Sequence, residues 1–585
     1  VGRGAPLSRG GLAFLRFAAD LGFHGLQLGP QGETTPHDPS PYDATLFSRS
    51  TASIALGPLV EQGVLLEREL AAAVQSRPAW ALSRAAHAHA HAAVLLAIDQ
   101  AWQRARGDRA VQERLRAFAA RRAAWLERSE IHHHLETLHG QADWRRWPEP
   151  DRSLFSRAPP GETFARLAEI RAAHLDEIGR FRFGQLLAHE QHQAFRAQAR
   201  SRDVLLFGDL QIGIAFRDLW SYGALLAPGL CMGAPPSRTN PEGQPWGYGV
   251  LDPDLYGSRA APGPALSFMQ ARAGQLLEEF DGLRVDHPHG LIDPWVYAAE
   301  DPDPQGAVQR GARLFSSPEH PRLARWAIAR PEQLDPVQAL HADARVRELT
   351  AAQVERYATL FDALIDAVQA HGRGADDIVP EVLSTQPYPV RRVLARHGLG
   401  RFLVTQKAAL DDPADVYRGE NARPEDWIMV GTHDTEPIWQ VAERWVEEGA
   451  APARAAYLAS RLVPEAGQRA RWAEQLAGSS RALARAQLAE LFVGPARNVM
   501  IFFADLLGSR EIYNRPGTVA PENWSMRIRP DFADAWALAA REGRALDLPA
   551  ALATAIRARG DAFAAAHVAL LRALDRDGMS QRGGT

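Results

Sequence analysis

Cysteine is almost absent. Of 585 residues only Cys231 carries a thiol, so no disulfide can close within the chain, and a lone thiol is more often packed or idle than nucleophilic. Long apolar runs are missing as well. No stretch reaches the roughly 18 uninterrupted apolar residues of a membrane-spanning helix, and no signal peptide is visible. The sequence starts at Val1 rather than Met, which leaves room for a trimmed N-terminus; a cytoplasmic location is the default expectation. Nor is one sign of charge in excess. The 66 basic and 70 acidic side chains give a net charge of −4, which supplies no electrostatic footprint for nucleic acid or an anionic membrane and suits a neutral substrate.

What is present is an ordinary folding composition, with 46% hydrophobic and 23% charged residues, in a chain too long for one small core. Brief apolar runs with polar residues at their C-terminal ends stand apart from long helical stretches. They are His24–Leu28, Val204–Phe207, Gly282–Asp286, Ile378–Glu381, Arg401–Thr405, Trp427–Val430 and Val499–Phe503. Buried parallel strands have this character. A further strand is expected near Thr45–Leu56. Helical composition over Phe268–Phe280 and Val346–Gln369 separates them, and alternation of this kind implies βα units. The expected fold class is α/β, a (β/α)8 TIM barrel with large helical insertions, favoured over a doubly wound sheet. The expected layout has residues 1–63 starting the catalytic barrel and 64–200 forming a helical insertion, too long for a crossover connection. Residues 201–585 complete the barrel, with an active-site loop near 231–256 and a helical insertion near 441–491.

Barrel enzymes carry their chemistry at the C-terminal ends of the strands. The polar residues there are Asp209, Arg284, Asp286, His287, Glu381, His433 and Asp434. A single aspartate at a strand end is more often a loop or helix cap. Several acids delivered to one rim, with arginine and histidine beside them, suit glycoside chemistry, where a retaining mechanism needs two carboxyl groups about 5–5.5 Å apart.

At these positions the sequence resembles the 4-α-glucanotransferases called amylomaltases or disproportionating enzymes, within the α-amylase-like clan. The segments occur in the family's order. Leu28-Gly-Pro-Gln-Gly32 with Ser40-Pro-Tyr42 is similar to its first strand and sugar-contacting loop, and Gly208-Asp209-Leu-Gln-Ile212 to its third-strand motif. Gly233-Ala-Pro-Pro236, Gly243-Gln244 and Trp246-Gly247 resemble a family-specific loop. Arg284-Val-Asp286-His287 resembles the nucleophile segment, Pro380-Glu381-Val-Leu383 the acid/base segment and Gly431-Thr-His433-Asp434 the segment with the stabilising acid. Asn514-Arg-Pro-Gly-Thr518 and Asn523-Trp524 are similar to the C-terminal signature. The likeness spans about residues 10 to 530.

The resemblance implies transfer of α-1,4-glucan segments by retaining double displacement through a covalent glucosyl-enzyme. Asp286 would be the nucleophile, Glu381 the acid then base, and Asp434 the transition-state stabiliser. Arg284 would align and ionise Asp286. His433 would bond sugar hydroxyls, Tyr42 would stack on a sugar face, Asp209 would support Arg284 or a hydroxyl, and Trp246 would contact glucan or be buried. No cofactor and no metal are implied. The partners would be an α-glucan or maltooligosaccharide donor and acceptor. The sequence departs from the family pattern at Ser237 (usually Asp), His289 (Arg), Thr435 (Asn), Val382 (Asp) and Lys407 (apolar or aromatic), which leaves donor length and the ratio of transfer to hydrolysis open. An α-1,4-glucan hydrolase on the same site and a non-catalytic glucan-binding protein are the alternatives.

Histidines cluster at 87, 89 and 91, and at 132, 133, 134 and 139. His189-Glu-Gln-His192 lacks the spacing of the zinc motif H-E-x-x-H. A solvated helix face is the preferred reading of all of them, and the Ala-Arg runs read as exposed helix rather than as a nucleic-acid patch.

Overall fold

A computed structural model describes residues 5–35, 40–76, 84–238, 240–518, 520 and 522–583. The chain divides into two compact units. One holds residues 1–378 and 385–396, the other residues 379–384 and 397–585. The short strand Ile378–Pro380 carries the chain from the first into the second.

In the first unit the strands Gly25–Gln27, Leu205–Leu210 and Gly282–Val285 lie side by side, all parallel. Their register matters, because Asp209 is opposite Arg284. Partners in a parallel ladder send their side chains to the same face, so the pairing alone brings this acid and this base together. The helix Pro264–Glu279 precedes the third strand. Asp281, at its end, is completely buried and holds three strands of chain at once: it accepts from Arg196 (2.8 Å), Arg373 (2.8 Å) and the backbone amide of Leu206 (3.0 Å).

The long segment between the first two strands is helical over Glu67–Gln75, Arg84–Ala105, Arg109–His139, Thr163–Ala173 and Leu175–Arg200. Its histidines do not form a solvated face. His87, His91, His132, His134, His189 and His192 are buried. The reason is aromatic packing. The His132 ring lies 5.1 Å from Trp147 and 5.4 Å from Trp220, and His189 lies 5.2 Å from Phe118 and 5.9 Å from Trp125. Burial pushes His133 and His192 each down to about 3 and lowers His132 and His189 as well.

The strand expected near Thr45–Leu56 is not formed. That segment is bends, with one 3-10 turn at Thr51–Ser53. An isolated bridge joins Arg49 to Gly32, Thr45 N and Ser50 N donate to Glu33 O and Gln31 O, and two glutamines of the helix Leu175–Arg200 serve the backbone of Arg49 and Ala55. Gln185 accepts from Arg49 N (2.8 Å) and donates to Arg49 O (3.0 Å). Gln191 does the same for Ala55, at 2.7 and 2.9 Å. Each amide supplies the donor and acceptor that a neighbouring strand would have supplied. A second difference concerns residues 231–256, expected as a loop. Leu226–Ala234 and Gln244–Leu251 form an antiparallel pair, and Trp295–Ala298 and Ala312–Arg313 extend it into a four-stranded sheet. The irregular register around Cys231 and Met232 breaks the alternation by which such strands are recognised.

In the second unit Phe402–Val404, Trp427–Met429 and Asn498–Val499 are parallel, with the middle strand in sequence also central in space. Helices Ile438–Glu447, Ala451–Leu462, Ala466–Ala477 and Ser480–Glu490 fill the stretch between the last two. Buried Asp505 accepts from Ile438 N (2.8 Å) at the start of the first helix, where an orphan amide needs an acceptor. Among the described residues no helix is long and apolar enough to cross a membrane.

Candidate active site

In the first unit the chemistry gathers around one buried guanidinium. Arg284 Nη1 donates to both oxygens of Asp209 (2.8 and 2.7 Å) and to the Tyr42 hydroxyl (3.0 Å), while Nη2 donates to Asp286 Oδ1 (3.3 Å). Asp209 is supported further by Gln27 Nε2 (3.2 Å) and the Tyr42 hydroxyl (3.2 Å). Two buried carboxylates therefore share a single cation, and the shorter bonds go to Asp209. The fork holds Asp286 in place while leaving it the more weakly neutralised acid. Asp286 follows directly on the strand Gly282–Val285, where its amide still donates to Leu210 O (3.1 Å).

The next residue, His287, turns the chain with φ +41°. A non-glycine residue in that region is strained, and such strain concentrates where a side chain must be aimed. His287 Nδ1 lies 3.1 Å from Asp286 Oδ1, and its ring meets Trp246 edge-on at 4.8 Å. Trp246 itself is partly buried. Its hairpin is pinned by Tyr297, whose hydroxyl accepts from Gly247 N (2.9 Å). His289, just beyond, donates to Thr385 O (2.9 Å).

The second unit holds the other two acids. Glu381 is buried and follows the strand Ile378–Pro380. Val382 after it is wholly buried, and its carbonyl accepts from Phe402 N (3.1 Å). Arg401 donates to the carbonyls of Leu383 and Ser384, so the backbone behind Glu381 is held from the neighbouring strand. Asp434 is exposed at the side-chain level and receives Asn514 Nδ2 at 2.7 Å. His433 Nε2 lies 3.5 Å from the same Oδ1, and its ring is 5.5 Å from that of Trp524. Trp524 also has positive φ, +61°, and its amide donates to Tyr513 O (2.9 Å). Thr435 closes the turn through its hydroxyl, which accepts from Thr432 N (2.9 Å).

The structure thus brings Tyr42, Asp209, Arg284 and Asp286 together with Trp246 close by, and separately brings His433 to Asp434. Gln27 and Tyr297 were not singled out from sequence. Gln27 carried a usable signal, being the polar residue near the C-terminal end of its strand. Tyr297 carried none, because its strand belongs to the sheet that was expected as loop.

A family model described as 4-alpha-glucanotransferase matches residues 8–533. The chain belongs to that family. It is 26% identical over 538 residues to a 4-alpha-glucanotransferase of Thermus thermophilus, covering 90% of this chain and 91% of the relative. A chloroplastic/amyloplastic 4-alpha-glucanotransferase of Oryza sativa subsp. japonica is 26% identical over 303 residues, covering 49% and 48%. Among solved structures, the amylomaltase from Streptococcus agalactiae in complex with acarbose superposes with a TM-score of 0.67 at 17% identity, covering 91% of this chain and 93% of that one. The amylomaltase from Corynebacterium glutamicum gives 0.57 at 18%, covering 89% and 69%. These likenesses carry the fold, a TIM-barrel-like α/β architecture with large helical insertions. As a member of the 4-alpha-glucanotransferase family the chain is a glucan-transferring enzyme, which removes the non-catalytic alternative.

Proposed function

We propose that this glucanotransferase transfers α-1,4-glucan segments between maltooligosaccharides by retaining double displacement, with Asp286 as nucleophile, Glu381 as acid then base and Asp434 as stabiliser. The observation that carries the assignment of Asp286 is the Arg284 fork. A nucleophilic carboxylate must be ionised and aimed, and Asp286 has a guanidinium on one oxygen, a strained residue after it and little solvent around it. Asp286 attacks the anomeric carbon as the glycosidic bond to the leaving sugar breaks, and Glu381 gives that oxygen its proton. An acceptor hydroxyl then attacks the same carbon, Glu381 takes its proton, and the Asp286 ester is released. Asp434, held by Asn514, accepts hydrogen bonds from sugar hydroxyls that strengthen as the ring flattens. Tyr42, Asp209, His433 and partly buried Trp246 contact or orient the glucan. The donor and acceptor are α-glucans or maltooligosaccharides, and the work of the enzyme lies in maltodextrin metabolism.

Incubation with maltotriose tests this reading. Transfer yields glucose together with products longer than maltotriose at constant total reducing ends, and Asp286→Asn abolishes both. A rise in reducing ends without longer products would mean that water is the acceptor and the enzyme is a hydrolase. Undiminished transfer by Asp286→Asn would remove the nucleophile assignment.

A further inference from the structure

The helical segment between residues 64 and 200 contains a group of side chains with no part in glucan chemistry. His134 lies near the end of the long helix Arg109–His139, and His174 is the junction residue between the helices Thr163–Ala173 and Leu175–Arg200. Glu177 is three residues further on, in the first turn of the latter helix. That spacing puts His174 and Glu177 on one side of the helix start, facing His134. One ligand atom from each of the three lies within 4.8 Å of the others. His134 Nδ1 is 2.8 Å from Glu177 Oε2, and the two imidazole rings overlap with centroids 3.9 Å apart and planes 31° apart.

As a hydrogen-bonded set this arrangement is poor. His134 is almost completely buried, and its Nε2 has no partner among the described residues; neither has the buried Oε1 of Glu177. Buried polar atoms left without partners are costly, and a carboxylate oxygen especially so. As a ligand set the same groups fit. Two imidazole nitrogens and a carboxylate oxygen are the donors of a borderline divalent ion.

We propose that His134, His174 and Glu177 form a binding site for a divalent transition-metal ion, zinc being the best match, which clamps the helix Arg109–His139 to the junction at His174. Ligands about 2.0–2.1 Å from the ion would sit about 3.3 Å from one another in a tetrahedron. The present group reaches that spacing by turning the His174 ring and moving the Glu177 carboxylate, both on partly exposed residues. The same exposure gives the ion an entry path and leaves the fourth position to water. His132 and His133 take no part; they are packed against Trp147 and Phe181.

The full-length protein, stripped of metal with a chelator and dialysed, is titrated with zinc alone and separately with cobalt(II), whose visible absorption reports ligand geometry. The expected result is one equivalent of zinc bound, a cobalt absorption band, and a melting temperature raised by zinc. His174→Ala and Glu177→Gln each weaken binding by at least about 100-fold, since loss of an outer-shell partner alone costs 10–100-fold, and each abolishes the cobalt band. His371→Ala, at an exposed histidine elsewhere, leaves both unchanged. Both ligand variants keep wild-type transfer on maltotriose, which shows them folded; Glu177→Gln preserves shape and stands in should His174→Ala misfold. Absence of stoichiometric zinc binding in the wild type would overturn the proposal, as would zinc binding that survives both substitutions.

Discussion

Arg284→Lys is the substitution that most directly examines the shared guanidinium. Lysine keeps the charge but offers a single ammonium in place of a planar fork. In the wild type Nη1 serves Asp209 at 2.7 and 2.8 Å, and Nη2 serves Asp286 at 3.3 Å. One ammonium cannot hold both positions, and the closer, more buried Asp209 retains it. Asp286 then loses its aligning donor. A hydrogen bond to a charged group contributes roughly 1.5–3 kcal/mol, and the length of this one places it at the lower end. A loss of about 1.5–2 kcal/mol from the transition state corresponds to a fall in kcat of roughly 10–30-fold. KM for maltotriose should stay within about threefold, because the lost bond acts on the nucleophile rather than on glucan binding.

The assay is the initial rate of glucose release from maltotriose, with melting temperature measured alongside. Arg284→Ala is the wrong variant for this purpose. It leaves Asp209 buried without a cation, which costs about 3–5 kcal/mol of stability and confounds rate with folding. If Arg284→Lys keeps kcat within about twofold of wild type, the guanidinium does not position Asp286 and the reasoning fails.

Asn514→Ala removes the 2.7 Å bond to Asp434; on this exposed carboxylate kcat should fall roughly tenfold, and an unchanged kcat would show that Asp434 needs no holder. Gln185→Ala strips the buried Arg49 amide and carbonyl of their partners, which should cost roughly 2–5 kcal/mol in urea unfolding; a loss under about 1 kcal/mol would mean the bend finds other partners. Asp505 has its pKa raised from 3.8 to about 7 by burial, offset in part by the Ile438 amide. The folded state therefore holds a proton that the unfolded state releases near pH 4. Its contribution is complete below about pH 4 and is lost as pH rises to about 7, a span of roughly 4 kcal/mol. Asp505→Asn keeps the acceptor for Ile438, so its stability advantage over wild type in urea should grow from pH 5 to pH 7.5; a constant difference across that range would contradict the shift.

Most of the parallel strands were readable because they are buried on both faces and so appear as short apolar runs, although Gly25–Gln27 and Asn498–Val499 are only partly buried. Gly282–Val285, wholly buried, is the clearest example. The segment Thr45–Leu56 misleads for the same reason: it is largely buried, but the backbone of Arg49 and Ala55 is satisfied by Gln185 and Gln191, about 136 residues away, and no local pattern records a partner so distant. The hairpin around Gly233–Gly247 was hidden by its own prolines and glycines, which are loop signals in sequence and here accompany an irregular register. In the candidate site, Asp209, Arg284 and Asp286 were legible as polar strand ends. The supporting residues were not, since Tyr297 and Gln27 act through geometry that appears only once register is set. The buried histidines reverse an expectation from composition: imidazole packs against indole and phenyl rings as readily as it faces water, and sequence does not distinguish the two.

The departures from the family pattern can be weighed by what those side chains do. Val382 is buried, and the bond from Phe402 goes to its carbonyl, so its side chain fills space and the position serves strand pairing. Thr435 closes the turn that presents His433 and Asp434; a Cβ on Gly431 would come within 2.5 Å of the Thr435 hydroxyl, which makes the glycine and the threonine a matched pair. Ser237 accepts from Asn240 N at 3.1 Å within the tip of the hairpin. These replacements therefore belong to the framework, and the groups proposed to touch the reacting carbon keep their expected chemistry. Lys407 is different: it ends the 3-10 turn Thr405–Lys407 that follows the strand Phe402–Val404, and it is exposed.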